Sequence, residues 1–199
     1  MSKPSKSNPL AQAWLVLVLA VVYGAGLAFV HSSLSSKIAE NVKNETYSLI
    51  PVLVGNPTQH HVEEQPVVLE NGQKITLYCV RDDNNAIIGW VIPAAWQGFA
   101  ENIRLLIGVD ANCSKILGMR VIEQKETPGL GNLIEQPAFR DQFAGKATAE
   151  KIDVVKAAPV KSNEIRAVTG ATISSRAVTD AVNNAIGLAK PLIQESIKP

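Results

Sequence analysis

The chain opens on a polar stretch carrying Lys3 and Lys6 and then runs for eighteen positions, Ala13 to Val30 (AWLVLVLAVVYGAGLAFV), without a charge. At ~1.5 Å per residue such a helix is about 27 Å long, close to the hydrocarbon thickness of a bilayer. Trp14 stands near one end, where an indole suits the membrane interface. The pattern predicts a tail at 1–12, a transmembrane helix at 13–30, a connecting helix and loop at 31–66, and a domain at 67–199. Within the connector, Leu34, Ile38, Val42 and Ile50 give a rough helical stripe over 31–50, which Pro51 is expected to close. Pro57 to Pro66, with His60, His61, Glu63 and Glu64, reads as a solvated loop rather than a metal site.

Farther on the period shifts to two. Gln73–Arg81 (QKITLYCVR) alternates, Asp82-Asp83-Asn84-Asn85 is a turn signal, and Ala86–Ile92 is a second apolar run. Ile103–Val109 and Ile116–Gln124 repeat this arrangement around Asp110-Ala111-Asn112. Two hairpins, and hence an antiparallel core of four or more strands, follow. Leu133–Ala144 reads as a short helix and Lys151–Ala157 as another strand. From Ser174 onward Ala177, Val178, Ala181, Val182, Ala185, Ile186 and Ala189 mark one face of an amphipathic helix. The fold class is α+β, an antiparallel-rich sheet flanked by helices behind a single N-terminal span.

Composition narrows the function. At 199 residues the chain holds one ordinary domain plus an anchor. A net charge of +1, with no basic block longer than a pair, argues against nucleic acid as a partner. The apolar run exceeds the usual core of a cleaved signal peptide, although Gly26-Leu27-Ala28 offers a small-x-small site, and retention as an anchor is favoured. Lys3 and Lys6 precede the span, and the nearest cation after it is Lys37. The positive-inside rule therefore places residues 31–199 outside the cytoplasm. Cys79 and Cys113 belong to no CxxC unit, so a bridge and a pair of buried thiols both remain open.

The stretch with chemical content is Val168-Thr169-Gly170-Ala171-Thr172-Ile173-Ser174-Ser175-Arg176, a small-residue turn rich in hydroxyls that opens into the last helix. Thr and Ser in that place are ordinary N-caps. The same helix start, with unpaired N–H groups and the positive end of the dipole, also suits a phosphate. Upstream, Glu126-Thr127-Pro128-Gly129-Leu130-Gly131-Asn132 is dense in turn formers.

Thr-Gly-Ala-Thr-Ile-Ser-Ser-Arg-Ala-Val resembles the flavinylation motif Ser/Thr-Gly-Ala-Thr of the FMN-binding domain family. Glu-Thr-Pro-Gly-Leu-Gly at 126–131 resembles that family's second signature, and the segment from Gly98 through Asp110 is similar to the strand that precedes it. The family includes the G subunit of Rnf-type electron-transport complexes and the C subunit of sodium-translocating NADH:quinone oxidoreductase; the shorter length and the literal string favour the former. The resemblance implies covalent FMN on Thr172 through a phosphoester, placed there from FAD by a separate flavin transferase. It further implies that Thr169 is the competing hydroxyl, that Gly170 and Ala171 give the transferase and the phosphate room, and that Ser174 and Ser175 bond its oxygens. Glu126, Thr127, Gly129, Leu130 and Gly131 would form the flavin loop, with Leu130 against the ring. Trp96 and Phe99 would pack either on the ring or in the core. Many members carry Asp where this chain has Arg166. No catalytic side chain and no metal are expected. The implied role is an electron relay among other membrane subunits of an ion-translocating complex in the bacterial inner membrane, with the domain on the periplasmic side. A stand-alone flavoprotein serving an extracytoplasmic acceptor is the alternative.

Overall fold

The computed structural model describes residues 9–55, 57, 59–68, 72 and 74–197. Lys3 and Lys6, which carry the orientation argument, lie outside the described residues. The chain divides into two compact units, Met1–Asn44 and Glu45–Pro199.

Helix α1 spans Pro9–Leu53 without a break, so the apolar run and the predicted connecting helix are one element. Large apolar side chains from Trp14 to Val30 are exposed along it, and it is long and apolar enough to cross a membrane. Pro51 does not close the helix, which continues for two more residues. A proline in the last turn costs one intrahelical hydrogen bond, and packing of the following residues outweighs that loss.

In the second unit, β1 (His61–Val68), β2 (Lys74–Arg81), β3 (Ile87–Gln97), β4 (Asn102–Asp110) and β5 (Ile116–Glu123) form one sheet in that order, each pair antiparallel. Both hairpins foreseen from the period-two pattern are present. Strand β1 was not expected. The stretch read as a solvated loop pairs its backbone with β2 from His61 to Val68 while most of its side chains stay solvent-facing. An edge strand tolerates both that polarity and Pro66.

Side chains alternate between two cores. Trp90, Ile92, Leu105, Ile107 and Val109 point to the face covered by α3 (Thr172–Ser196), whose stripe Ala177, Val178, Ala181, Val182, Ala185, Ile186 and Ala189 is buried there. Val80, Val91 and Leu106 point to the opposite face, where Ile50, Leu53 and Val54 from the end of α1 cover them. β4 is buried on both faces over 105–109 and reads as a continuous apolar run, whereas β2, beside the edge strand, keeps several half-exposed residues and alternates. On the second face Gly108 pairs across the sheet with Val91 and Gly118. A Cβ on Gly108 would stand 2.2 Å from the Leu53 carbonyl oxygen, so the missing side chain makes the notch in which the end of α1 rests.

The helix predicted over 133–144 is three short pieces: a 3₁₀ turn at Gly131–Glu135, helix α2 (Pro137–Arg140) and a second 3₁₀ turn at Asp141–Phe143. Pro137 forces Gln136 into extended backbone, ψ 147°, and divides them. The strand predicted over 151–157 is β6 (Asp153–Val155), paired in parallel with an unforeseen β7 (Glu164–Arg166). Glu164–Arg166 has one buried apolar residue between two polar ones, too little pattern to mark a strand.

Candidate functional site

The turn that enters α3 is built from its own hydroxyls. Ala171 N–H donates to the Val168 carbonyl at 3.0 Å, and Gly170 takes a φ of +82° to close that turn. Ser175 Oγ donates to the Ala171 carbonyl at 2.9 Å and accepts from Val168 N–H at 3.0 Å. Its hydroxyl is therefore committed to the turn backbone. The expectation of an ordinary Ser/Thr cap is corrected: Ala171 occupies the N-cap and no side chain caps the helix. Thr172 is the first residue of α3 and half-buried, Thr169 and Ile173 are exposed, and Ser174 is buried.

The Glu126–Gly131 loop meets this turn. Leu130 N–H and Asn132 N–H both donate to the Thr127 carbonyl, at 3.2 and 3.3 Å, and Gly129 N–H donates to Asn132 Oδ1 at 2.8 Å. Gly129 has φ +76°, a conformation natural to glycine, and the tight loop pushes the Leu130 side chain outward, where it is exposed. Thr127 and Gly129 are exposed as well, whereas Gly131 is buried.

Glu126 lies underneath, 5 % exposed. Its Oε1 accepts the Ala100 N–H at 3.0 Å, its Oε2 accepts the Ser174 hydroxyl, and among the described residues it forms no ion pair. One carboxylate thus joins the turn after β3, the Glu126–Gly131 loop and the first turn of α3. Two glycines make its slot. A Cβ on Gly98 would fall 2.5 Å from Oε1, and one on Gly131 would fall 2.7 Å from the Glu126 Cβ. Neither has a positive φ, so both are needed for space and not for backbone freedom.

Beside the turn a cleft of about 490 Å³ runs between the α2 region and β7, lined by Leu133, Gln136, Phe139, Gln142, Arg166 and Val168, with Thr169 at its margin. That volume falls in the ~300–1,000 Å³ range of small-molecule sites. The floor is aromatic: Phe139 is buried and packs edge-on to Phe143, ring centres 5.6 Å apart. Gln142 staples the far wall, accepting from Arg166 N–H at 2.7 Å and donating to the Arg166 carbonyl at 3.2 Å. Arg166 is the charged residue of that wall.

Thr169, Gly170, Ala171, Thr172, Ser174 and Ser175 were expected from the sequence, as were Glu126, Thr127, Gly129, Leu130 and Gly131. The fold brings the two groups together, through Glu126 to Ser174 and through Leu130 to Gly170. Phe139, Gln142 and Ala100 were not foreseen. Phe139 followed by Phe143 at helical spacing was the available signal; Ala100 contributes only a backbone N–H and had none. Trp96 and Phe99 are 38 % and 65 % exposed, so neither is a core residue.

Residues 98–187 match the FMN-binding domain family. The G subunit of the Na(+)-translocating ferredoxin:NAD(+) oxidoreductase complex of Acetobacterium woodii is 30 % identical over 185 residues, covering 86 % of this chain and 87 % of that one. The G subunit of the ion-translocating oxidoreductase complex of Photorhabdus laumondii is 32 % identical over 177 residues, 84 % of each chain. Among solved structures, Shewanella oneidensis NqrC shares the fold with a TM-score of 0.55 at 20 % identity, covering 73 % of this chain and 72 % of its own. The C subunit of the Na(+)-translocating NADH-quinone reductase of Parabacteroides distasonis is similar at 0.52 and 20 %, covering 63 % and 64 %. With both motifs folded into one site and the likeness running over most of its length, the chain belongs to the G-subunit family of Rnf-type, ion-translocating oxidoreductase complexes.

Proposed function

We propose that the chain is the electron-transfer flavoprotein subunit of such a complex and carries FMN covalently on Thr172 Oγ1 through a phosphoester. The observation that carries this reading is the place of Thr172. It is the first residue of a helix that no side chain caps, behind a glycine turn whose Val168 and Thr169 line a cleft of ligand size. The residues fit the group. An uncapped helix start leaves N–H donors and the positive dipole end for a phosphate. The aromatic floor at Phe139 and the exposed Leu130, which lies over Gly170, suit a flat apolar ring.

When bound, FMN supplies the electron chemistry. The protein's part is to fix where electrons arrive and leave. Thr172 would hold the group, Leu130 and the cleft wall would confine its ring, and Arg166, on that wall, would supply positive charge. Attachment balances as a transfer from FAD: the Thr172 Oγ1–P bond forms, the pyrophosphate P–O bond breaks, and AMP leaves with the hydroxyl proton. A flavin transferase supplies that step. Helix α1 holds the domain at the inner membrane, with Lys3 and Lys6 in the cytoplasmic tail and residues 31–199 on the periplasmic side. Residues 13–30 cross the bilayer and 67–199 form the flavin domain. Electrons pass between partner subunits in ferredoxin/NAD-linked transport, since the chain has no Gly-x-Gly-x-x-Gly nicotinamide signature of its own. Likeness to a G subunit over most of both chains favours this complex over the quinone oxidoreductase.

Co-expression with a flavin transferase tests the assignment. The full chain gains one FMN less water by intact mass and gives a fluorescent band on a denaturing gel. Thr172→Ala abolishes both, and Thr169→Ala keeps them. A band that survives in Thr172→Ala overturns the assignment.

A further inference from the structure

We infer that Glu126 is the positioning residue of the flavin site: its buried carboxylate, slotted between Gly98 and Gly131, holds the Leu130 loop against the first turn of α3 and so fixes the ring without touching it. This rests on the proposed FMN site at Thr172. The two signature motifs suggest that Glu126 contacts the flavin; the geometry assigns it a different task. Both oxygens are taken, Oε1 by Ala100 N–H at 3.0 Å and Oε2 by the Ser174 hydroxyl, and the residue is 5 % exposed. A buried carboxylate without a cation is costly, so stability alone favours an apolar side chain in that slot. What the carboxylate adds is geometry. Its two oxygens point to segments 26 and 48 residues away in sequence and hold each by a charge-assisted bond. The absent side chains at Gly98 and Gly131 make the room it occupies, because a Cβ at either would overlap it. Four residues beyond Glu126, the Leu130 side chain reaches Gly170, two residues before Thr172. Loss of the carboxylate therefore releases the Leu130 loop from α3, while the turn before Thr172, which Ser175 holds through Val168 N–H and the Ala171 carbonyl, stays in place.

The test uses the full chain, flavinylated by co-expression, as wild type, Glu126→Ala, Glu126→Gln and Ser174→Ala. Attachment is read as gel fluorescence after denaturation. Seating is read as visible circular dichroism and fluorescence anisotropy of the flavin, together with its midpoint potential. Glu126→Ala and Ser174→Ala are expected to keep the covalent band while losing the flavin's induced circular dichroism and anisotropy, with the potential moving toward that of free FMN. Glu126→Gln is expected to restore most of the signal, since an amide still accepts from Ala100 and donates to Ser174. Unchanged dichroism and potential in both Glu126→Ala and Ser174→Ala overturn the inference. So does loss of the covalent band in a folded Ser174→Ala. A wild-type chain that takes up no flavin overturns the proposed function instead, so the two failures are distinguishable.

Discussion

The side chain of Leu130 closes over Gly170. A Cβ built on Gly170 would stand 3.0 Å from Leu130 Cδ2, and Gly170 itself sits at φ +82°. The two signature motifs, 40 residues apart in sequence, therefore touch at a residue without a side chain. A β-carbon there has to displace Leu130 and adopt a left-handed backbone that costs about 1–2 kcal/mol in any residue other than glycine. Gly170→Ala is expected to lower the melting temperature by about 2–8 °C. It is also expected to lower the yield of flavinylated chain, read by gel fluorescence against total protein. A variant with wild-type melting and yield shows that the turn does not need its left-handed residue.

The notch under α1 makes a paired prediction. At Gly108 an added Cβ meets the Leu53 carbonyl oxygen at 2.2 Å, a backbone atom that a side-chain rotation does not relieve. At its cross-strand partner Gly118 the nearest atom is Leu53 Cδ2 at 3.6 Å, an ordinary contact. Overfilling a packed core costs roughly 1–3 kcal/mol. Gly108→Ala is expected to fall in that range by denaturant unfolding and Gly118→Ala to be close to neutral. Equal effects of the two would place the end of α1 elsewhere on the sheet.

Asp110 organises the β4–β5 turn, accepting from Ser114 N–H at 2.6 Å and Lys115 N–H at 3.0 Å and also from the Ser114 hydroxyl. Partial burial pushes its pKa up, but these hydrogen bonds outweigh burial and hold the carboxyl below its ordinary value. A carboxyl depressed on folding adds stability that is full above its unfolded pKa and is lost as pH falls through the folded one. Asp110→Asn is expected to cost about 1–3 kcal/mol near neutral pH. The gap in melting temperature between the two proteins should then narrow below about pH 4. A gap that stays constant across a melting series from neutral to acid pH contradicts the linkage.

Cys79 and Cys113 are both buried and free in the α3-facing core. Burial raises both thiol pKa values, that of Cys113 to about 11, so little thiolate is present at neutral pH. Alkylation of the native protein at pH 8 is expected to label neither residue within the time that a denatured sample takes to label both. Mass spectrometry of the denatured, unreduced chain should count two adducts. A count of zero there indicates a bridge.

The sequence by itself determined the long apolar N-terminal helix, both hairpins, the stripe of α3 and the two motif loops, because each rests on local periodicity or on a turn that only certain residues make. Gly129 and Gly170 could be read in order along the chain, and they take the left-handed backbone that such turns require. Other features depended on partners distant in sequence. His61–Val68 became a strand because β2 offered an edge, not through its own pattern. The helix over 133–144 broke at Pro137, whose effect on Gln136 was local but whose consequences depended on packing around Phe139. The hydroxyls at the start of α3 were assigned as caps by local rules; Ser175 instead bonds back to its own turn, and a tertiary contact turns Ser174 to Glu126. Glu126 is the clearest case. Sequence placed it at the head of a motif, while its burial, its two distant partners and the glycine slot around it exist only once three segments meet. A hydrogen bond between residues 48 positions apart leaves no periodic trace in the chain, so tertiary structure alone decided it.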